Sequence, residues 1–116
     1  MIEHRRSRRR RVQTSIEVYD AMSEDLIGYL GNLSVDGLLL VSRRAIPEDA
    51  LFQFSFTLPR GTAAQPRRIE VGVHEQWSEA ARSPGQYWAG FRIIDIGAED
   101  LKALDDFISS PGGQFA

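Results

Sequence analysis

Two groups of residues have types and spacings suited to holding an anion. Arg5, Arg6, Arg8, Arg9, Arg10 and Arg11 place six guanidinium groups in seven positions. Further on, Asn32, Ser34 and Gly37 lie in a short polar segment that runs into apolar Leu38, Leu39, Leu40 and Val41. A guanidinium fork donates two parallel hydrogen bonds to a phosphate or to the O6 and N7 of guanine, and it stacks on a purine face. Asn and Ser add short side chains with donors and acceptors. Alternation along an extended segment puts Asn32 and Ser34 on the same side. Gly37 is predicted where φ is positive or where a ligand nears the backbone. Trp77, in a polar neighbourhood, is a candidate for stacking on a base, with a place in the core as the alternative. Turns use the same residues as the Asn32–Gly37 segment, and a solvated tail the same arginines, so neither group is decisive alone.

Other chemistries find no support. The chain has no Cys, no glycine-rich phosphate loop opening a helix, and no pair of His at metal spacing; His4 and His74 read as isolated. No spacing among Glu75, Glu79 and Asp95 singles out an acid and a base, and no nucleophile has an evident activating neighbour. The reading is a binding protein rather than an enzyme, without a cofactor or metal.

The net charge of −2 conceals an asymmetry. Residues 1–11 carry six Arg against Glu3, a net +5, while residues 12–116 carry eight basic and fifteen acidic side chains, a net −7. A protein that tracks a duplex spreads its basic residues over a folded face, so one local arm argues against nucleic acid. No apolar run approaches the roughly 20 residues of a membrane span, and no secretion signal is evident, which predicts a cytoplasmic protein.

At 116 residues, with 42% hydrophobic and 26% charged residues, the chain fits one soluble domain. Residues 1–11 form a flexible arm, 12–110 a domain and 111–116 a tail. Period-two patterns predict strands over 12–19, 26–33, 38–42, 52–58, 69–77 and 87–94, the third buried on both faces. Gly28 and Gly31, inside the second, suggest a bulge or a close backbone approach. Phe52, Phe54 and Phe56 line one face of the fourth, and Trp88 reads as packing. Helical spacing appears only near the end, with Leu101, Leu104 and Ile108 on one stripe, Gly97 as N-cap and Pro111 to Gly113 as the stop. Six strands and a terminal helix predict an all-β fold, a small antiparallel barrel covered by the helix.

An R-x-x-x-R arm before the first strand, followed by [D/N]-x-S-x-x-G, resembles the PilZ domain family of cyclic di-GMP receptors. Asn32, Ser34 and Gly37 match the second motif completely, and the segment from Gly90 to Asp95 with the closing helix resembles the family's last strand and helix. The resemblance implies a six-stranded antiparallel β-barrel with a C-terminal helix. Its implied ligand is cyclic di-GMP, often an intercalated dimer, wrapped by the arm, with a downstream partner protein reading the result. Arg5 with Arg9 and Arg6 with Arg10 satisfy the arginine spacing, whereas Ser7 stands four residues before Arg11. The favoured pair is Arg6 and Arg10, then Arg11. Two alternatives are a non-specific binder of anionic surfaces or nucleic acid through the arm, and a ligand-independent scaffold in pilus or motility machinery.

Overall fold

Apolar residues recur at every second position along most of the chain, and a sheet of such strands hides its apolar face fully by curling closed. The computed structural model describes residues 10–11, 15–59, 66–109 and 114–115, with the backbone alone for 10, 11, 114 and 115. In chain order the elements are β1 (Arg10–Arg11), β2 (Glu17–Asp20), β3 (Leu26–Leu33), β4 (Gly37–Ser42), β5 (Leu51–Leu58), β6 (Arg67–Ala80), β7 (Tyr87–Ile96), α1 (Ala98–Ser109) and β8 (Gln114–Phe115). Strands β2, β5, β6, β7, β4 and β3 are neighbours in that order, all antiparallel, and a β2–β3 pairing closes the ring. The fold is therefore a closed six-stranded antiparallel barrel with one C-terminal helix. Strand β1 continues the line of β2 along the same edge of β3, and β8 pairs with β1.

Inward positions follow the alternation. Val18, Leu38, Leu40, Phe54, Ile69, Val71 and Val73 are fully buried, each such side chain contributing about 1.5–3 kcal/mol. Phe54 packs edge-on against Phe91 with ring centroids 5.0 Å apart, and Phe52 lies 5.2 Å from Phe54. The expectation that 38–42 is buried on both faces is corrected, because Leu39 and Val41 turn to the outer face and are half-buried there. Val12 and Thr14 lie outside the described residues, as does the stop at 111–113.

Helix α1 packs against β6 and puts Leu104 and Ile108 into the core. The Gly97 carbonyl accepts the first helical bond from the Leu101 amide at 2.9 Å, as an N-cap does. Asp100 accepts from Arg67 Nη2 at 2.8 Å and from the Glu70 amide at 3.2 Å, which pins the first turn onto β6. The Asp100 hydrogen bond, more than any other influence, raises the Arg67 pKa and keeps the guanidinium charged. Leu101 was predicted on the buried stripe but is 39% exposed. With Asp100 committed to β6, the next residue, about 100° further round, is turned to the flank. Among the described residues no helix is long and apolar enough to cross a membrane.

Candidate functional site

The leader and the polar corner meet through the backbone. Arg10 pairs with Leu33 and Arg11 with Asn32, so β1 runs beside the last residues of β3, immediately before the corner. Arg5, Arg6 and Arg9 lie outside the described residues.

The corner closes on itself. Ser34 donates its hydroxyl to Asp36 Oδ1 at 2.8 Å and accepts the Gly37 amide at 3.1 Å, while the Ser34 amide reaches the Gly37 carbonyl at 2.8 Å. The Ile93 amide donates to the Asp36 carbonyl at 2.8 Å and ties the corner to β7. Ser34 is wholly buried, so the expectation that it shares a side with Asn32 is corrected. Alternation ends with β3 at Leu33, and Ser34 belongs to the turn, where its hydroxyl builds the corner rather than facing outward. Gly37 does not carry the expected positive φ, which among the described glycines falls at Gly85, in the β6–β7 turn. Gly37 is instead the first residue of β4, opposite Arg92.

Two β-bulges set the outer face. In β3, Leu30 opposes Leu40 and Asn32 opposes Leu39, leaving Gly31 as the extra residue. Without that insertion Asn32 would take the inward phase; with it Asn32 is half-buried on the outer face, beside Leu39. The Gly31 signal was legible in the sequence. In β6, Glu75 opposes Phe91 and Trp77 opposes Gly90, leaving Gln76 as the extra residue. Strict alternation from Ile69, Val71, Val73 and Glu75 would bury Trp77, but the bulge moves it outside, 47% exposed. Its indole lies across Gly90, where an added Cβ would fall 2.2 Å from Nε1. Only a residue without a side chain leaves that space.

Consequently the register lines up Arg11, Asn32, Leu39, Gly90 and Trp77 in one cross-strand row over β1, β3, β4, β7 and β6. At the usual strand separation the row spans about 19 Å of sheet. Val41 and Trp88 are opposed in the next row, and half-buried Trp88 packs near Gly31, consistent with its predicted packing role. The row has a cationic leader at one end, an amide near it, an apolar floor at Leu39 and Gly90, and an indole at the other end. Such a surface suits a ligand with anionic edges and flat aromatic faces.

Sequence reasoning missed Leu39, Gly90 and the part played by Glu75. Glu75 is buried and accepts from the Asp49 amide at 2.9 Å and from the Ser78 hydroxyl at 2.5 Å. His74, read as isolated, is paired: its Nε2 meets the Asp49 carboxylate and its Nδ1 lies 3.1 Å from Gln76 Nε2. A carboxylate in the inward phase of an apolar strand was the available signal.

Solved structures share the fold at low sequence identity. The Bacillus subtilis inhibitor of motility (MotI/DgrA) aligns with a TM-score of 0.72 and 18% identity, over 89% of this chain and 48% of that one, so the present chain spans about half its length. The PilZ domain of YcgR from Escherichia coli, solved with c-di-GMP, aligns with a TM-score of 0.61 and 13% identity, over 91% of this chain and 89% of that one. Among curated proteins none matches. The sequence pattern described as the PilZ domain matches residues 3–110, which take in the whole barrel and helix together with all six leader arginines, and the chain therefore belongs to the PilZ domain family.

Proposed function

We propose that this protein is a cyclic di-GMP receptor that holds its ligand on the outer face of the barrel, between the arginine leader and the Trp77 indole. The observation that carries this reading is the cross-strand row from Arg11 through Asn32, Leu39 and Gly90 to Trp77. Cyclic di-GMP has two phosphates and two guanines, the chemistry that guanidinium forks, an amide and an indole recognise. Family membership supports the ligand, since a PilZ domain of similar fold was solved with c-di-GMP. Arg10 and Arg11, with Arg5, Arg6 and Arg9 ahead of them, clamp phosphates and guanine edges. Asn32 meets a guanine edge, Ser34 and Gly37 hold the corner in shape, and Trp77 stacks on a base. An intercalated dimer would offer further phosphates to a leader with more than two arginines.

The domain acts by binding, not catalysis. Two phosphates neutralise mutually repelling guanidinium groups and fix the leader on the barrel, and a downstream protein in the cytoplasm reads the new surface. The motility function named for the Bacillus neighbour supports an output of that kind.

Isothermal titration with cyclic di-GMP tests the reading. Saturable heat is expected with cyclic di-GMP, and none with GTP under the same salt. Neither heat nor a thermal shift at high micromolar ligand would remove the proposal. The net +5 of residues 1–11 favours one competing reading, a non-specific electrostatic binder. That alternative predicts an affinity untouched by Asn32→Ala or Trp77→Ala and steeply dependent on salt.

A further inference from the structure

We propose that the buried carboxylate of Glu75 is a positioning residue for Trp77: its tethers to the Asp49 amide and the Ser78 hydroxyl lock the bulge at Gln76 and hold the indole over Gly90. The inference rests on the receptor reading above for its binding consequence, though its structural part does not depend on any ligand.

Glu75 faces the barrel interior opposite Phe91, where a carboxylate must find partners. It finds two. One oxygen takes the Asp49 amide from the β4–β5 connector, and the other takes the Ser78 hydroxyl three residues ahead, so the second bond spans Gln76 and Trp77 while the first anchors Glu75 to the connector. The Glu75 amide reaches the Ala50 carbonyl at 2.9 Å, joining β6 to the same connector. Asp49 has a left-handed φ of 63°, an uncommon backbone state for a residue with a side chain, which needs such support. His74 contacts the Asp49 carboxylate and strengthens the connection. The consequence falls on Trp77 because the strand phase decides which face it takes. A slip of one residue at Gln76 would carry the indole from the outer row into the core phase. Gly90 provides the seat from the other side, with no room for a Cβ beneath the ring.

The chain has two Trp, so Trp88→Phe leaves Trp77 as the one fluorescent indole. In that background Glu75→Met, Glu75→Gln, Ser78→Ala and Gly90→Ala are compared by acrylamide quenching without ligand and by titration with cyclic di-GMP. Glu75→Gln still accepts the Asp49 amide and donates to Ser78, so it is expected to retain wild-type quenching and affinity. Glu75→Met and Gly90→Ala are expected to change Trp77 quenching and to weaken binding roughly five-fold or more, as loss of a stacked base does. Ser78→Ala, at an exposed position, is expected to do so more mildly, and it supplies the test should Glu75→Met fail to fold. The decisive measurement is the double-mutant cycle: with Trp77→Ala in place, Glu75→Met or Ser78→Ala should cost no further affinity. Additive losses, or unchanged quenching in both Glu75→Met and Ser78→Ala, would overturn the positioning role. If the parent protein ignores cyclic di-GMP while these variants still shift the quenching, the receptor reading falls and the positioning role stands.

Discussion

The two ends of the outer row are held by different means. At the corner, the side-chain bonds lie within four consecutive residues: Ser34 bonds to Asp36 and Gly37, and the Ile93 amide adds a backbone tie to β7. At the indole, placement depends on strands far apart in sequence, with β7 supplying Gly90 and the β4–β5 connector supplying the Asp49 amide. A local motif specifies its own shape, whereas a distant one inherits its shape from register. The corner should therefore fail as a stability defect, and the indole end as an affinity defect.

The largest effect is expected at the leader. On the proposed grip, replacing Arg10 and Arg11 together by Ala would remove two charge-assisted contacts to the ligand, about 3–6 kcal/mol, and should weaken cyclic di-GMP binding by roughly 10²- to 10⁴-fold in a titration. Little change in Tm should accompany it, and retention of full affinity would exclude both from the grip. Ser34→Ala comes next and contrasts most directly. It leaves the buried Gly37 amide unpaired at about 1–3 kcal/mol and should lower Tm by roughly 4 °C or more, with binding falling in parallel. Trp77→Ala should do the reverse, losing about 1–3 kcal/mol of affinity with Tm nearly constant. A Tm loss in Trp77→Ala as large as in Ser34→Ala would erase the contrast between the two ends. Asn32→Ala should cost about 0.5–1.5 kcal/mol of affinity. The smallest effect belongs to Arg67→Ala, which loosens the α1 contact at Asp100 and should shift Tm slightly while leaving the titration unchanged.

The sequence was readable where a residue's own chemistry fixes its place. Alternating Phe52, Phe54 and Phe56 announced β5, Gly97 announced the start of α1, and a glycine inside a strand announced the bulge at Gly31. The phase of Trp77 was not readable, because Gln76 has none of the conformational marks of a bulge residue. Beside that bulge the buried Glu75 bonds to Ser78 three residues ahead and to the Asp49 amide 26 residues back, a contact beyond any local pattern. The Asn-x-Ser-x-x-Gly motif was legible as a turn, but the division of labour within it was not. Period two suggested that Asn32 and Ser34 act side by side, whereas strand β3 stops between them and gives one to the surface and the other to the turn.

The displaced residue in β6 has one more consequence. Among the described residues, pairing with β5 ends at His74, so from Gln76 to Ala80 the strand keeps β7 as its partner and leaves its other margin open. Open margins invite strand addition from a second molecule, the route by which sheets aggregate. The bulge at Gln76 and the negative charge of exposed Glu79 are features of the kind that make a strand margin a poor template for pairing with another copy.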